Sequence, residues 1–207
     1  MPEPACDGCS VRSPEIGEAR QSISRIITNV DRAAGIIDRN RSLYRRGVPQ
    51  RELIDLNEII RQMVILLHDA ASRNSISIRT NLDAALPTTT ADRVQLQQVL
   101  MNLMLNGIEA MRDESGELRV TSQRTEDGQL LISVSDLGIG LPGKEPERIF
   151  EAFFTTKPEG TGMGLSISRR IIESHGGRLW ASPNTRRGTT FQFTLPNELI
   201  ASSPKAI

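Results

Sequence analysis

Residues 92–111 have the pattern of a long helix that must be buried along most of its surface. Its apolar side chains recur at helical spacing: Val94, Leu96, Val99, Leu100, Leu103, Met104, Leu105, Ile108 and Met111. Five of its polar side chains lie on one face, at steps of three and four: Gln95, Gln98, Asn102, Asn106 and Glu109. Such a helix is stable only when other elements cover its apolar sides. The chain must therefore pack this helix against a sheet or against further helices.

The segments around this helix alternate between helix and strand patterns. Periodicity predicts two more helices, at residues 53–74 and 165–175. Strands are predicted at residues 75–82, 116–123, 129–136, 178–182 and 189–195, and the sequence EDG makes a hairpin turn between two of them. Helices interleaved with hairpin-connected strands predict an α/β protein, a two-layer sandwich with a mixed β-sheet packed on helices.

The first part of the chain predicts a separate long helix. Apolar or aromatic residues recur at every seventh position: Ile16, Ile23, Val30, Ile37 and Tyr44. This spacing is typical of a bundle helix, and a second copy of the chain is the simplest source of partner helices, which predicts a homodimer. Gly47 and Pro49 then end the helix. The predicted boundaries are a disordered tail at 1–14, a dimerisation helix at 15–47, a globular domain at 52–198 and a C-terminal tail at 199–207.

The chain is electrically balanced, with 25 basic and 25 acidic residues. It has no net attraction to nucleic acid or to an anionic membrane surface. The sequence has neither a run of about 18 apolar residues nor a signal sequence, which predicts a cytoplasmic protein without a membrane segment. Cys6 and Cys9 form a C-x-x-C pair, for which half a zinc site and a redox pair are alternatives to an unstructured tail. The proline-rich surroundings favour the tail.

The polar face of the apolar helix contains residue types that are unusual for a face that only contacts water. Asparagine is a poor helix former, and Glu, Lys or Arg would be the more usual choice there. The amide oxygens of Asn102 and Asn106 suit Mg²⁺ that is held jointly with substrate phosphates. A plain solvated face is the alternative interpretation.

A second unusual stretch has glycines at alternating positions, Gly160, Gly162 and Gly164. It lacks the Lys-Ser or Lys-Thr of a P-loop, and Leu165 stands where a dinucleotide fingerprint needs its third glycine. Taken by itself, this stretch is compatible with a flexible surface loop.

Five segments, in this order and spacing, resemble a known domain. They are QQVLMNLMLNGIEAM, VSDLGIGLP, IFEAFFTTK, GTGMGLSISRRIIESHGG and GTTFQFTLP. They resemble the N box, first glycine box, F box, second glycine box and closing strand of the ATP-binding catalytic domain of sensor histidine kinases. That domain belongs to a superfamily shared with gyrase, Hsp90 and MutL. The resemblance implies a Bergerat-type ATP-binding fold over residues 52–198.

The resemblance implies roles for the residues at the base and the metal ion. Asn106 would coordinate Mg²⁺ that bridges the ATP phosphates, with Asn102 beside it. Asp136 would accept a hydrogen bond from the adenine amino group, assisted by the hydroxyl of Thr189. Gly138 and Gly140 would let the main chain pass close to the base.

The resemblance also implies a lid over the phosphates. Phe150 and Phe153 would anchor its base. Three residues are candidate phosphate contacts: Thr155, Thr156 and Lys157. The far end of the lid would lead into the N-terminus of a helix that faces the phosphates, through Gly160, Gly162, Met163, Gly164 and Leu165.

The implied reaction is phosphoryl transfer from ATP to a histidine. Related ATPases have a glutamate base where this chain has Asn102, and an amide cannot take a proton, so slow ATP hydrolysis is predicted. Neither His68 nor His175 has the sequence context of an acceptor, so we expect the acceptor helix in trans, with a response regulator downstream. The chain would then be a fragment of a larger kinase or a stand-alone module. The alternative is an anti-sigma-like regulatory module that binds ATP without phosphorylating histidine.

Overall fold

The structure is a computed structural model, and it describes residues 50–112, 114–141, 146–157 and 160–197. The predicted tails, the predicted dimerisation helix and the Cys6 and Cys9 pair lie outside the described residues. The strands are β1 (Arg51–Ile54), β2 (Ile76–Leu82), β3 (Thr89–Asp92), β4 (Gly116–Arg124), β5 (Leu130–Ser135), β6 (Arg178–Pro183) and β7 (Thr189–Leu195). The helices are α1 (Leu56–Arg73), α2 (Arg93–Ala110), α3 (Gly164–Ser174) and a short 3-10 helix, η1 (Pro146–Phe150).

The main sheet has five strands in the order β2-β4-β5-β7-β6. Strands β2 and β4 run parallel, and every other neighbouring pair is antiparallel. Strands β1 and β3 form a separate antiparallel pair. The predicted mixed sheet is confirmed, including the hairpin between β4 and β5, where Gly128 has φ 78°.

The core lies between the main sheet and the three α-helices. Burial alternates along β5 and β7, so one side of each strand faces the helices while the other is partly exposed. Helix α2 is the central helix, and its buried residues include Leu96, Val99, Leu100, Leu103, Met104 and Ile108. The burial predicted for the apolar sides of this helix is confirmed, except at Val94, which is exposed in the first turn.

Two local predictions differ from the structure. Leu53 and Ile54 are predicted to begin a helix, but they lie in β1, and α1 begins after Asp55, whose Oδ1 accepts the N–H of Asn57 at 2.8 Å. A carboxylate at this position satisfies a free N–H of the first turn, which sets the start of the helix. Strand β3 has only four residues, too few for an alternating pattern to predict it.

Helix length and composition also bear on membrane contact. Within the described part of the chain, no helix combines the length and the apolar character needed to cross a bilayer.

Candidate nucleotide site

Asp136 is a buried carboxylate at the end of a central strand. It directly follows β5, and only 2% of its surface is exposed. Its Oδ1 accepts two main-chain N–H groups, from Gly138 at 2.9 Å and from Thr189 at 3.2 Å. Among the described residues, no donor reaches Oδ2. The carboxylate is therefore fixed through one oxygen, and the other can accept a hydrogen bond from a ligand.

Burial raises the pKa of Asp136 above its usual range, and the two main-chain hydrogen bonds oppose this effect only in part. A raised folded-state pKa means that folding favours the protonated form. The contribution of Asp136 to stability is therefore complete below the pKa of an unfolded aspartate, and it is lost as the pH rises through the folded-state pKa. Ionisation of the buried carboxylate therefore lowers the stability of the domain as the pH rises.

The loss of stability caused by burying the Asp136 carboxylate can be tested by measurements over a range of pH. We expect Asp136→Asn to melt at a higher temperature than the unchanged chain at pH 7, because asparagine has no ionised form to bury. The difference should shrink toward about pH 4, near the ordinary aspartate pKa, where the carboxylate is increasingly protonated in both states. Thermal unfolding of both proteins at several pH values measures this difference in melting temperature. A difference that stayed constant with pH, or a less stable variant at pH 7, would contradict the burial cost.

The loop between β6 and β7 donates hydrogen bonds to the main chain of Asp136 and Gly138. The Asn184 Nδ2 donates to the main-chain oxygen of Asp136 at 2.7 Å, and Arg187 Nε donates to the oxygen of Gly138 at 3.1 Å. Gly188 lies so close to Asp136 that a Cβ at Gly188 would be 2.0 Å from the main-chain oxygen of Asp136. Sequence reasoning did not identify Asn184 or Arg187, because nothing in the local pattern shows that this loop reaches back to β5.

Helix α2 connects Asp136 to the predicted metal ligand. A Cβ added at Gly107 would lie 3.4 Å from the Cβ of Asp136, so Gly107 packs directly against the carboxylate residue. Asn106 precedes Gly107 in the chain. Gly138 also packs on α2, since a Cβ there would be 2.5 Å from the Ala110 oxygen. The structure thus packs the predicted adenine residue against Gly107, the residue that follows the predicted metal ligand.

Asn102 joins α2 to the start of α3. Its Nδ2 donates to the Ser168 hydroxyl at 3.0 Å, and that hydroxyl donates to the main-chain oxygen of Gly164 at 3.0 Å. A Cβ at Gly164 would lie 2.3 Å from Asn102 Oδ1, so a side chain at position 164 would displace the Asn102 amide. Asn102 therefore fixes the N-terminus of α3 beside the polar face of α2. The contribution of Ser168 is not apparent from sequence patterns.

The N-terminus of α3 is open to an anion. Met163 occupies the N-cap position and gives no side-chain hydrogen bond to the first turn. The free N–H groups of a first turn and the helix dipole together attract phosphate. Leu165 is partly buried against the core, which holds this end of α3 in place.

Lys157 reaches the polar face of α2. Its Nζ lies 3.0 Å from Asn106 Oδ1, and it forms an ion pair with Glu109. The amide oxygen of Asn106 is therefore turned toward a positive charge. This orientation fits a ligand to Mg²⁺, which prefers oxygen donors.

The other lid residues lie around Lys157. The Thr155 hydroxyl accepts the N–H of Lys157 at 3.1 Å, and a Cβ at Gly160 would lie 2.4 Å from the same hydroxyl oxygen. Thr156 is exposed. Gly162 accepts the N–H of Phe153 at 3.0 Å, which ties the two ends of the lid together. The structure therefore gathers the two ends of the predicted lid at α2 and α3.

The structure buries Phe150 but exposes Phe153, so the predicted anchoring role is wrong for Phe153. The Phe150 ring is buried, and the Arg169 guanidinium lies 3.7 Å from its centroid. Phe153 has φ 69° and is 75% exposed, while Phe154 packs on the core. The left-handed backbone at Phe153 turns its side chain outward and leaves the second anchoring position to Phe154.

The two histidines differ sharply in access. His175 is buried, and its Nε2 accepts the N–H of Asp92 at 3.0 Å, so its Nδ1 carries the proton and donates to the Ile171 oxygen at 2.8 Å. His68 is exposed on α1 beside Asp69. Both ring nitrogens of His175 are thus engaged in the fold.

Comparison with known proteins gives the family. The sequence model described as histidine kinase-, DNA gyrase B-, and HSP90-like ATPase matches residues 91–199. Sensor protein FixL of Bradyrhizobium diazoefficiens is 40% identical over 184 residues, which cover 88% of this chain and 36% of FixL. Sensor protein TdiS of Thauera aromatica is 38% identical over 196 residues, covering 91% of this chain and 36% of TdiS. The chain thus spans about a third of the length of these curated relatives.

Solved structures show the same similarity. The catalytic domain of histidine kinase ThkA aligns with a TM-score of 0.65 and 38% identity, covering 72% of this chain and 96% of that domain. Full-length ShkA in complex with AMPPNP aligns with a TM-score of 0.73 and 26% identity, covering 89% of this chain and 40% of ShkA. The chain therefore belongs to the histidine kinase-, DNA gyrase B- and HSP90-like ATPase family, and it carries the ATP-binding catalytic module of a sensor histidine kinase.

Proposed function

We propose that the domain binds Mg·ATP with the adenine at Asp136 and the phosphates between α2 and α3. It then transfers the γ-phosphoryl group to a histidine of another segment or chain. The observation that carries the proposal is the buried carboxylate of Asp136, fixed through Oδ1 by two main-chain N–H groups. Its Oδ2 would accept the adenine amino group, whereas guanine presents a carbonyl there and would be repelled.

The phosphate end of the site rests on α2 and α3. The uncapped first turn of α3 would bind phosphate oxygens through main-chain N–H groups. Asn106 Oδ1 would hold Mg²⁺, which when bound would neutralise charge on the transferring phosphoryl group. Asn102 keeps α3 in position through Ser168 and offers no base for activating water. Slow hydrolysis of ATP in the absence of an acceptor follows from this.

The proposal that the acceptor histidine lies in trans is supported by the burial of His175 and by the sequence context of His68, which does not resemble that of an acceptor. Phosphorylation of His175 would require breaking its hydrogen bonds to Asp92 and Ile171 and opening the core. The sequence supports three further proposals: a homodimer through residues 15–47, a cytoplasmic location and a response regulator downstream. ThkA was solved in complex with the response regulator TrrA, which supports the last of these.

Label transfer tests the proposed reaction. The chain is incubated with γ-labelled ATP and Mg²⁺, alone and with a purified histidine-containing dimerisation hairpin of the sensor-kinase type. We expect acid-labile label on the added hairpin, none on the chain alone, and a rate at least about 100-fold lower for Asn106→Ala. Undiminished transfer by Asn106→Ala would contradict the metal assignment. Acid-labile label on His68 or His175 would contradict an acceptor in trans.

A further inference from the structure

The ammonium group of Lys157 is hydrogen-bonded to Asn106 Oδ1, the oxygen that would bind Mg²⁺ in the proposed function. Its ammonium group donates to Asn106 Oδ1 at 3.0 Å and pairs with the carboxylate of Glu109. Glu109 follows Asn106 by three residues on the same face of α2 and therefore lies next to it. Sequence patterns place Glu109 on this face but give it no role.

A metal ion at Asn106 Oδ1 would compete with the ammonium group of Lys157. Mg²⁺ binds oxygen at about 2.0–2.1 Å, and the Lys157 nitrogen lies 3.0 Å from the same oxygen, so the two cations would be only a few ångströms apart. Two cations held within a few ångströms of each other also repel, most strongly where water is partly excluded. Metal binding at Asn106 therefore requires Lys157 to move away.

Phosphates supply the alternative partner for the displaced lysine. Lys157 lies in the segment that leads from η1 into the lid, and this segment lies near the N-terminus of α3, since Phe153 bonds to Gly162. Nucleotide phosphates at α3 would bring negative charge to the ammonium group as Mg²⁺ takes its place at Asn106. When Mg²⁺ replaces Lys157 at Asn106, the ammonium group would therefore exchange the Glu109 carboxylate for the phosphates as its negatively charged partner.

We propose that Lys157 competes with Mg²⁺ for Asn106, and that Glu109 is the positioning residue that holds Lys157 there. This inference rests on the proposed function of Asn106. Its consequence is that the metal ion loads well only together with nucleotide phosphates. Lys157 then has two successive partners, the α2 face before loading and the phosphates after it.

The test compares variants that keep the same local charge. Single changes alter the charge at the metal position, whereas the double variant Glu109→Gln/Lys157→Met removes one charge of each sign. Binding of a fluorescent ADP analogue is measured at a fixed nucleotide concentration while Mg²⁺ is titrated. ADP has no γ-phosphate, so a contact of Lys157 with that group does not enter the result. Affinity for the ADP analogue at saturating Mg²⁺ is measured for each variant as well, so that a lost contact of Lys157 with the remaining phosphates is separated from the Mg²⁺ midpoint.

We expect the Mg²⁺ midpoint of the double variant to be lower by about twofold to fivefold, the range measured for exposed ion pairs. The matched control is Arg79→Met/Glu117→Gln, which removes one charge of each sign at the joint between β2 and β4, where Glu117 also pairs with Arg119, and should leave the midpoint unchanged. An equal or higher midpoint in the double variant, with the control unchanged, would overturn the proposal.

A second measurement does not depend on nucleotide binding. The chain has three lysines, Lys144, Lys157 and Lys205, so acylation of Lys157 can be compared with the other two in one digest. We expect Glu109→Gln to raise the acylation of Lys157 relative to Lys205 by about twofold, because one of its two partners is removed. Unchanged relative acylation would contradict the role of Glu109.

The two proposals fail in different ways. If Mg²⁺ does not strengthen binding of the ADP analogue to the unchanged chain, or if Asn106→Ala leaves the Mg²⁺ midpoint unchanged, the proposed role of Asn106 as the metal ligand is wrong. If Asn106→Ala abolishes the Mg²⁺ dependence and the double variant matches the unchanged chain, only the competition by Lys157 is wrong.

Discussion

Asp136→Asn is expected to lower the affinity for Mg·ATP by at least about 100-fold while leaving the fold intact. Asparagine keeps the oxygen that accepts the N–H groups of Gly138 and Thr189. Its second group is an amide NH₂, which would face the adenine amino group as donor against donor. The substitution therefore removes a charge-assisted hydrogen bond and leaves two buried donors unpaired.

Fluorescence anisotropy of a labelled ATP analogue measures this loss. Asp127→Asn, at an exposed position in the turn between β4 and β5, is the matched control and should bind like the unchanged chain. The thermal unfolding of Asp136→Asn at pH 7 shows whether unfolding contributes to weak binding, and we expect that it does not. Near-native affinity in Asp136→Asn would mean that the adenine lies elsewhere.

Gly188→Ala is expected to lower the free energy of unfolding by about 3–5 kcal/mol, more than any other substitution proposed for this chain. Gly188 has φ 94°, and a Cβ there would lie 2.0 Å from the main-chain oxygen of Asp136 and 2.7 Å from its carbonyl carbon. Main chain cannot move aside as a flexible side chain can. The substitution must displace Asp136 or the loop behind it, so nucleotide affinity should fall as well.

Gly140→Ala separates the effect of backbone strain on the free energy of unfolding from the effect of a steric collision. Gly140 also has a positive φ, 81°, but the nearest atom to an added Cβ is 3.7 Å away. Only the strain remains, about 1–2 kcal/mol. Urea unfolding of the two variants measures the difference. Equal losses at the two positions would show that the close approach of Gly188 to Asp136 does not constrain the site.

Much of the fold follows from periodicity in the sequence. The polar face of α2 was predictable because asparagine and glutamine recur there at helical spacing among apolar residues. The strands of the main sheet alternate strongly enough to be recognised, whereas β1 and β3 are four residues each and do not. Short elements gain their stability from pairing with distant segments, which a local pattern does not record.

Contacts between distant segments account for most of what the sequence did not predict in the site. Ser168 and Asn184 are ordinary polar residues until the fold brings them to Asn102 and Asp136. Two phenylalanines are adjacent at 153 and 154, and only the left-handed backbone at Phe153 decides which of them is buried. The ion pair of Lys157 with Glu109 spans 48 residues of sequence and was equally inaccessible.

The most direct test of the account is the structure of this chain bound to Mg²⁺ and a non-hydrolysable ATP analogue. We expect the adenine amino nitrogen about 2.9 Å from Asp136 Oδ2, Mg²⁺ about 2.1 Å from Asn106 Oδ1, and phosphate oxygens at the first turn of α3. An adenine turned away from Asp136, or a metal ion without Asn106 among its ligands, would contradict the central claim.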